Sequence, residues 1–248
     1  MQPRVINVAQ LAAYSPANHT GTSNVRVIGP ETVGATTLEV LVGTIAKAHG
    51  AKPHAHPFLE QCAYMLEGTG ESQAQGRTDA MPRGTWGYVP AGVFHTFRVT
   101  SDEPGRVLVV YAPPYGENPA HTITVADPAV DGRGDVRVLA VPDGSAATAC
   151  VPLIGAETTG ARWVEIDAVR LQAGASFACA ARADAEQVLF LEAGQLHARA
   201  GGQDLPLAAG DFLFLPRGAS AELSCPAGAR ATGFLIKGRV PSTSSPHA

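Results

Sequence analysis

Hydrophobic positions along the chain fall in short runs. The first half has Leu38–Ile45, Gln61–Leu66, Trp86–Val89 and Val107–Tyr111; the second has Val164–Leu171, Gln187–Leu191, Phe212–Leu215 and Phe234–Ile236. Short apolar runs bounded by Gly and Pro turns predict strands, and many such strands predict an all-β sandwich or jelly-roll barrel. Helical periodicity is weak, with one short helix predicted around Val8–Tyr14.

The pattern repeats. Residues 25–35 read Val-Arg-Val-Ile-Gly-Pro-Glu-Thr-Val-Gly-Ala, and residues 151–161, 126 positions on, read Val-Pro-Leu-Ile-Gly-Ala-Glu-Thr-Thr-Gly-Ala. The same offset relates Glu39 to Glu165, Glu60-Gln61 to Glu186-Gln187, Gly68 to Gly194 and Gly84 to Gly210. It also relates Pro90 to Pro216 and Gly92 to Gly218, without insertion from about residue 25 to 98. A register kept that long marks a duplicated domain. The expected division is residues 1–120 for a first barrel and 121–248 for a second. Pro113–Pro119 should carry the chain out of the first barrel in extended form. A turn-rich stretch, Asp131–Asp135, follows, and the tail Pro241–Ala248 is expected to fray.

Composition narrows the partners. Lys+Arg 18 against Asp+Glu 22 gives a net charge of −4 with no basic run, which argues against nucleic acid. No stretch approaches the ~20 apolar residues of a membrane span, and the first residues do not read as a signal peptide. Charged residues at 16%, with 27 Gly and 19 Pro, exclude a coiled coil or helical bundle. Cys62, Cys150, Cys179 and Cys225 stand far apart, so free buried thiols in a reducing cytoplasm are expected.

Candidate chemistry lies in the first copy. His54-Ala-His56 places two imidazoles on one face of an extended strand, Glu60 shares that parity, and His95 arrives after Pro90-Ala-Gly92. Three neutral imidazoles and a carboxylate form a ligand set for one divalent first-row transition metal: Fe, Mn, Co, Ni or Zn. Six coordination would leave two positions for water or substrate, whereas zinc more often settles for four ligands. His19, His49, His121, His197 and His247 follow no ligand spacing. In the second copy the offset turns His54, His56 and His95 into Ala180, Arg182 and Ala221 and keeps only the carboxylate, as Glu186. One metal per chain is predicted, with Arg182 pairing Glu186 inside a closed second barrel.

These motifs resemble those of the cupin superfamily, and the duplication resembles its two-barrel members, the bicupins. The first family motif, G-x5-H-x-H-x3-E followed by Gly, is similar to Ala48-x5-His54-x-His56-x3-Glu60 with Gly68. The second, G-x5-P-x-G-x2-H, is matched by Gly84-x5-Pro90-x-Gly92-x2-His95. Ala48 stands where the family often has Gly and Val99 where it often has Asn; neither is a ligand position. The resemblance implies two tandem jelly-roll barrels with the metal in the first.

If the parity of Glu60 continues, Cys62 and Tyr64 point inward beside the ligands, and Phe97 shares the parity of His95. Trp86 is a further candidate for the substrate wall, with Phe58, Met65, Phe94 and Tyr111 of undetermined direction. Tyr64 would donate a hydrogen bond or proton to a bound oxygen. The resemblance implies a dioxygenase similar to quercetinase-like bicupins, acting on a small catechol, enediol or flavonol with Glu60 as ligand or base. Alternatives are a hydrolase or isomerase using the metal as Lewis acid, and a barrel that binds a small molecule without turnover. Ureidoglycine aminohydrolase is a bicupin of the former kind, but its metal site is expected in the C-terminal barrel, which is bare here. A homodimer is expected, and the segment through Gly21 would cover its own barrel or a neighbour's.

Overall fold

The computed structural model describes residues 1–127, 136–142 and 148–240; Asp131–Asp135, Pro241–Ala248 and His247 lie outside them. The chain forms two tandem jelly-roll barrels, with the predicted runs at the hearts of strands. Val164–Leu171 forms a strand with the expected bounds, and the first-half runs become Glu39–Ala55, Glu60–Glu67, Thr85–Val89 and Gly105–Ala112.

The 17-residue strand Glu39–Ala55 serves both layers of the first barrel. Its early part pairs with Gly105–Ala112 and its late part with His95–Val99. The bend needs Gly50, at φ 154°, where a Cβ would lie 2.1 Å from the Phe97 carbonyl oxygen.

Two strands cross between the halves. Arg4–Asn7 pairs with Asp211–Leu215 of the second barrel, while Arg137–Ala140 pairs with Thr85–Val89 of the first. Each half therefore completes an edge of the other and leaves fewer unpaired backbone groups. A shared core lies between the barrels: Cys62, Tyr64, Trp86 and Tyr88 pack with Val188, Phe190, Phe212 and Phe234. The second barrel has its own interior, built from Leu189, Leu191, Leu213, Leu215, Leu223 and neighbours.

Several expectations change. The helix over Val8–Tyr14 is a single 3-10 turn, Val8–Gln10, followed by a two-residue strand, because Asn7 caps Ala9 N–H and Leu11 is already extended. Two four-residue helices appear instead inside the repeat motif, Pro30–Val33 and Ala156–Thr159, ended by left-handed Gly34 and Gly160. The Pro113–Pro119 stretch does not leave the barrel at once. It is held back by Gly116 N–H donating to Glu39 at 2.7 Å and by Tyr115, which is buried. Cys150 is exposed, unlike the other three thiols.

Candidate metal centre

His54, His56 and His95 converge, each buried, with one ligand atom apiece within 4.8 Å of the others. The late part of Glu39–Ala55 brings His54 opposite His95, as register partners on neighbouring strands. His56 follows just beyond the strand's end. Their ring centroids are 4.4 Å apart for His54 and His95, and 4.8 Å for His54 and His56.

All three Nδ1 atoms are engaged by backbone carbonyls: His54 with Lys52 at 2.6 Å, His56 with His121 at 2.8 Å, His95 with Val93 at 3.0 Å. Donation from Nδ1–H fixes the tautomer and leaves each Nε2 with its lone pair. Burial, then neighbouring imidazoles, holds His54 well below the usual histidine range. Burial pushes His56 down to about 3 and His95 to about 4. The rings are therefore neutral at pH 7, the form in which an imidazole binds metal.

Two further observations fit a cation. His56 Nε2 is buried without a hydrogen-bond partner. Gln61 Oε1 lies 3.1 Å from His95 Nε2, so two lone pairs face each other, an arrangement that a shared cation satisfies. The residues fit a transition metal held by His54, His56 and His95, with Gln61 presenting a neutral oxygen.

Glu60 is not in this group. Its carboxylate turns to the opposite face of the strand and accepts from the second half: Arg162 N–H at 2.8 Å, Trp163 N–H at 2.9 Å and Val164 N–H at 3.2 Å, besides the Tyr88 hydroxyl at 3.0 Å. The expected inward parity is thus reversed from Glu60 onward. Cys62 and Tyr64 share its outward face and lie in the core between barrels, the Tyr64 hydroxyl donating to Glu192 at 2.7 Å. Trp86 packs there too, against Tyr64 and Phe234. None of these four touches the cavity. A one-residue error in register moves a strand's whole side-chain set to the other face. Gln61 was missed for that reason, although its counterpart Gln187 was visible in the repeat.

Phe97 does line the cavity with His95. The space is walled chiefly by Ile45, Met81, Val107, Val109, Val136 and Val138. Tyr111 also lines it, Met65 packs in the adjacent core, and Phe58 is 64% exposed. His19, which has no ligand spacing, joins the lining, its ring 6.1 Å from that of His54.

The second barrel differs. Arg182 does not pair with Glu186; it bonds Asp184 at 2.8 Å and lies 3.7 Å from Glu165. Glu186 instead reaches the first half, accepting from the backbone N–H and hydroxyl of both Thr36 and Thr37 at 2.8–3.0 Å. Glu60 and Glu186, and the segments they hold, are related by the 126-residue offset. The two carboxylates form a reciprocal clasp between the barrels, and an inter-barrel contact of this kind has no local sequence signal.

Residues 41–111 match the cupin domain family. Among curated proteins, the chain is 29% identical over 113 residues to the polyketide synthase CurC of Streptomyces cyaneus, covering 46% of this chain and 71% of that one. It is 32% identical over 86 residues to an uncharacterised protein of Aquifex aeolicus, covering 35% and 58%. Among solved structures, a Pseudomonas aeruginosa protein named for induction by glyoxylate superposes with a TM-score of 0.75 at 18% identity, over 96% of this chain and 89% of that one. A variant of Bacillus subtilis oxalate decarboxylase gives 0.72 at 12%, over 96% and 77%. At such identities the structures speak for the fold alone. No helix among the described residues is long and apolar enough to cross a membrane. The fold, the three-histidine cluster and the family match over residues 41–111 together place a cupin domain of the cupin superfamily in the first barrel.

Proposed function

We propose that this chain is a metal-dependent bicupin enzyme, a dioxygenase acting on a small organic substrate that chelates through oxygen. The observation that carries this reading is a neutral donor set beside an apolar cavity. Three uncharged imidazoles and a carboxamide leave the charge of a divalent cation uncompensated, which favours an oxyanion chelate such as a catecholate, enediolate or flavonolate. When bound, iron or manganese supplies Lewis acidity and access to oxygen. The chain's own residues hold and orient: His54, His56 and His95 carry the metal, Gln61 leaves the site neutral, and the valine, methionine and phenylalanine walls exclude water. The kinship with CurC, whose name points to polyketides, adds β-diketones and polyketide-derived phenols to the candidate substrates. Without Glu60 at the site, the cavity carries no carboxylate base among its lining residues, which weighs against the hydrolase alternative.

The test is oxygen uptake by iron- or manganese-loaded protein with a panel of catechols, flavonols and β-diketones. Uptake matching substrate loss, and absent in His95→Ala, is expected. Full metal occupancy with no uptake, and a product isomeric with or hydrated from its substrate, would favour the Lewis-acid alternative.

A further inference from the structure

Two polar side chains on the cavity wall make no hydrogen bond among the described residues. Asn24 is 6% exposed and Ser72 7% exposed, both line the space, and neither side chain hydrogen-bonds any described residue. The other polar lining groups differ: the Thr22 hydroxyl donates to the Thr20 carbonyl at 2.9 Å, and His19 Nδ1 donates to the Ala17 carbonyl at 2.7 Å. Both present polar atoms to the cavity space, and a polar group on an otherwise apolar wall calls for a reason.

The fold itself supplies none. Gly43 stands opposite Asn24 across the sheet, and a Cβ there would lie 2.7 Å from Asn24 Oδ1 and 3.0 Å from Val107 Cγ2. Glycine therefore gives the amide its place on the cavity wall. In the second barrel the 126-residue offset replaces Gly43 by Val169, Ser72 by Ala198 and Asn24 by Cys150. Val169 and Ala198 pack into a closed apolar interior. The same architecture thus forms with neither polar group.

Both groups sit along the wall from the histidines. Ser72 pairs with Phe97, one same-face position beyond the Ala74–His95 pair. Asn24 lies further along the strand His19–Ile28 than His19. We infer that Asn24 and Ser72 are specificity-determining residues that hydrogen-bond a hydroxyl or carbonyl on the apolar body of the substrate, apart from the oxygens presented to the histidines. An amide and a hydroxyl both donate and accept, so either substituent is satisfied. The inference rests on the proposed metal-dependent reading for the head of the substrate, and on the cavity alone for its body.

The matched probes are 4-methylcatechol and 4-(hydroxymethyl)catechol, titrated calorimetrically without oxygen into zinc-loaded and metal-stripped protein. The wild type should bind the hydroxymethyl compound about 10-fold tighter in both forms, the value of one well-made hydrogen bond. Asn24→Val and Ser72→Ala should reduce the preference to about 2-fold or less with metal content unchanged. Each should leave the Tm of ligand-free protein within about 2 °C of the wild type, so that the lost preference is not a folding defect. No preference in the wild type, or a preference undiminished in both variants, would overturn the inference. If zinc leaves both affinities unchanged, the chelation reading fails instead, while the preference in metal-stripped protein still supports the roles of Asn24 and Ser72.

Discussion

At Gly43, Ala63, Gly87 and His95 the first barrel carries residues whose counterparts in the second are Val169, Leu189, Leu213 and Ala221. Ala63, Gly87 and His95 line the cavity of the first barrel, whereas all four counterparts belong to the buried interior of the second. Small residues hold one barrel open around an imidazole cluster; leucine and valine close the other around nothing. Gln61 and Gln187 make the same point in polar terms. Gln61 Oε1 faces the His95 lone pair, while Gln187, with no histidines to meet, donates to the Ala180 carbonyl at 2.8 Å. What both barrels retain is the means of joining, through Glu60 and Glu186. The repeat preserves the interface while the two interiors differ, one holding a histidine-lined cavity and the other a closed apolar packing.

That contrast can be broken from either side, and the largest effect falls on the metal. His54→Ala or His95→Ala should lower bound metal from about one equivalent to below about a tenth, by elemental analysis of protein purified without chelator. Arg182→Ala in the second barrel should leave it unchanged. Next, Ala63→Leu, which copies Leu189 into the hollow barrel, should weaken catechol binding about 100-fold while metal content stays near one, because the added side chain occupies substrate space. The reverse exchange, Leu189→Ala, should cost about 3 kcal/mol in urea unfolding by leaving a cavity in the second interior.

Breaking the clasp should have a smaller effect and should be symmetric. Glu60→Gln and Glu186→Gln each turn an amide NH2 toward backbone donors, at a cost of about 1–3 kcal/mol. Metal stoichiometry should survive both, and metal lost from Glu60→Gln would return that carboxylate to the donor set. The last contrast is the pH dependence of the metal-free protein. His56 and His95 sit near 3 and 4 when folded, below the ordinary value of 6.5, so the unfolded chain takes up protons first as pH falls. Stability should be complete above about pH 6.5 and decline toward pH 4 and below, with a shallower slope in His95→Ala.

The two barrels, their turns and the three histidines were legible because each leaves a local or periodic trace: a constant offset, Gly and Pro at fixed places, and HxH on one strand. The lining was not. Gln61-Cys62-Ala63-Tyr64-Met65-Leu66 is nearly uniform in polarity, since one face meets the cavity and the other meets the second barrel. A strand buried on both faces shows no alternation, so nothing local distinguishes Glu60 from Gln61 as the inward residue.

The sequence by itself determined the architecture and the three imidazole donors, because hydrophobic runs, turn residues, the HxH spacing and a duplicated register depend on neighbours close along the chain. Only the tertiary structure decided which face of Glu60–Glu67 looks inward, where the carboxylates go, and that one interior stays open. Those outcomes depend on the backbone amides of Thr36, Thr37 and residues 162–164, which approach Glu186 and Glu60 from more than a hundred residues away. Their hydrogen bonds outweigh any preference the strand could express alone.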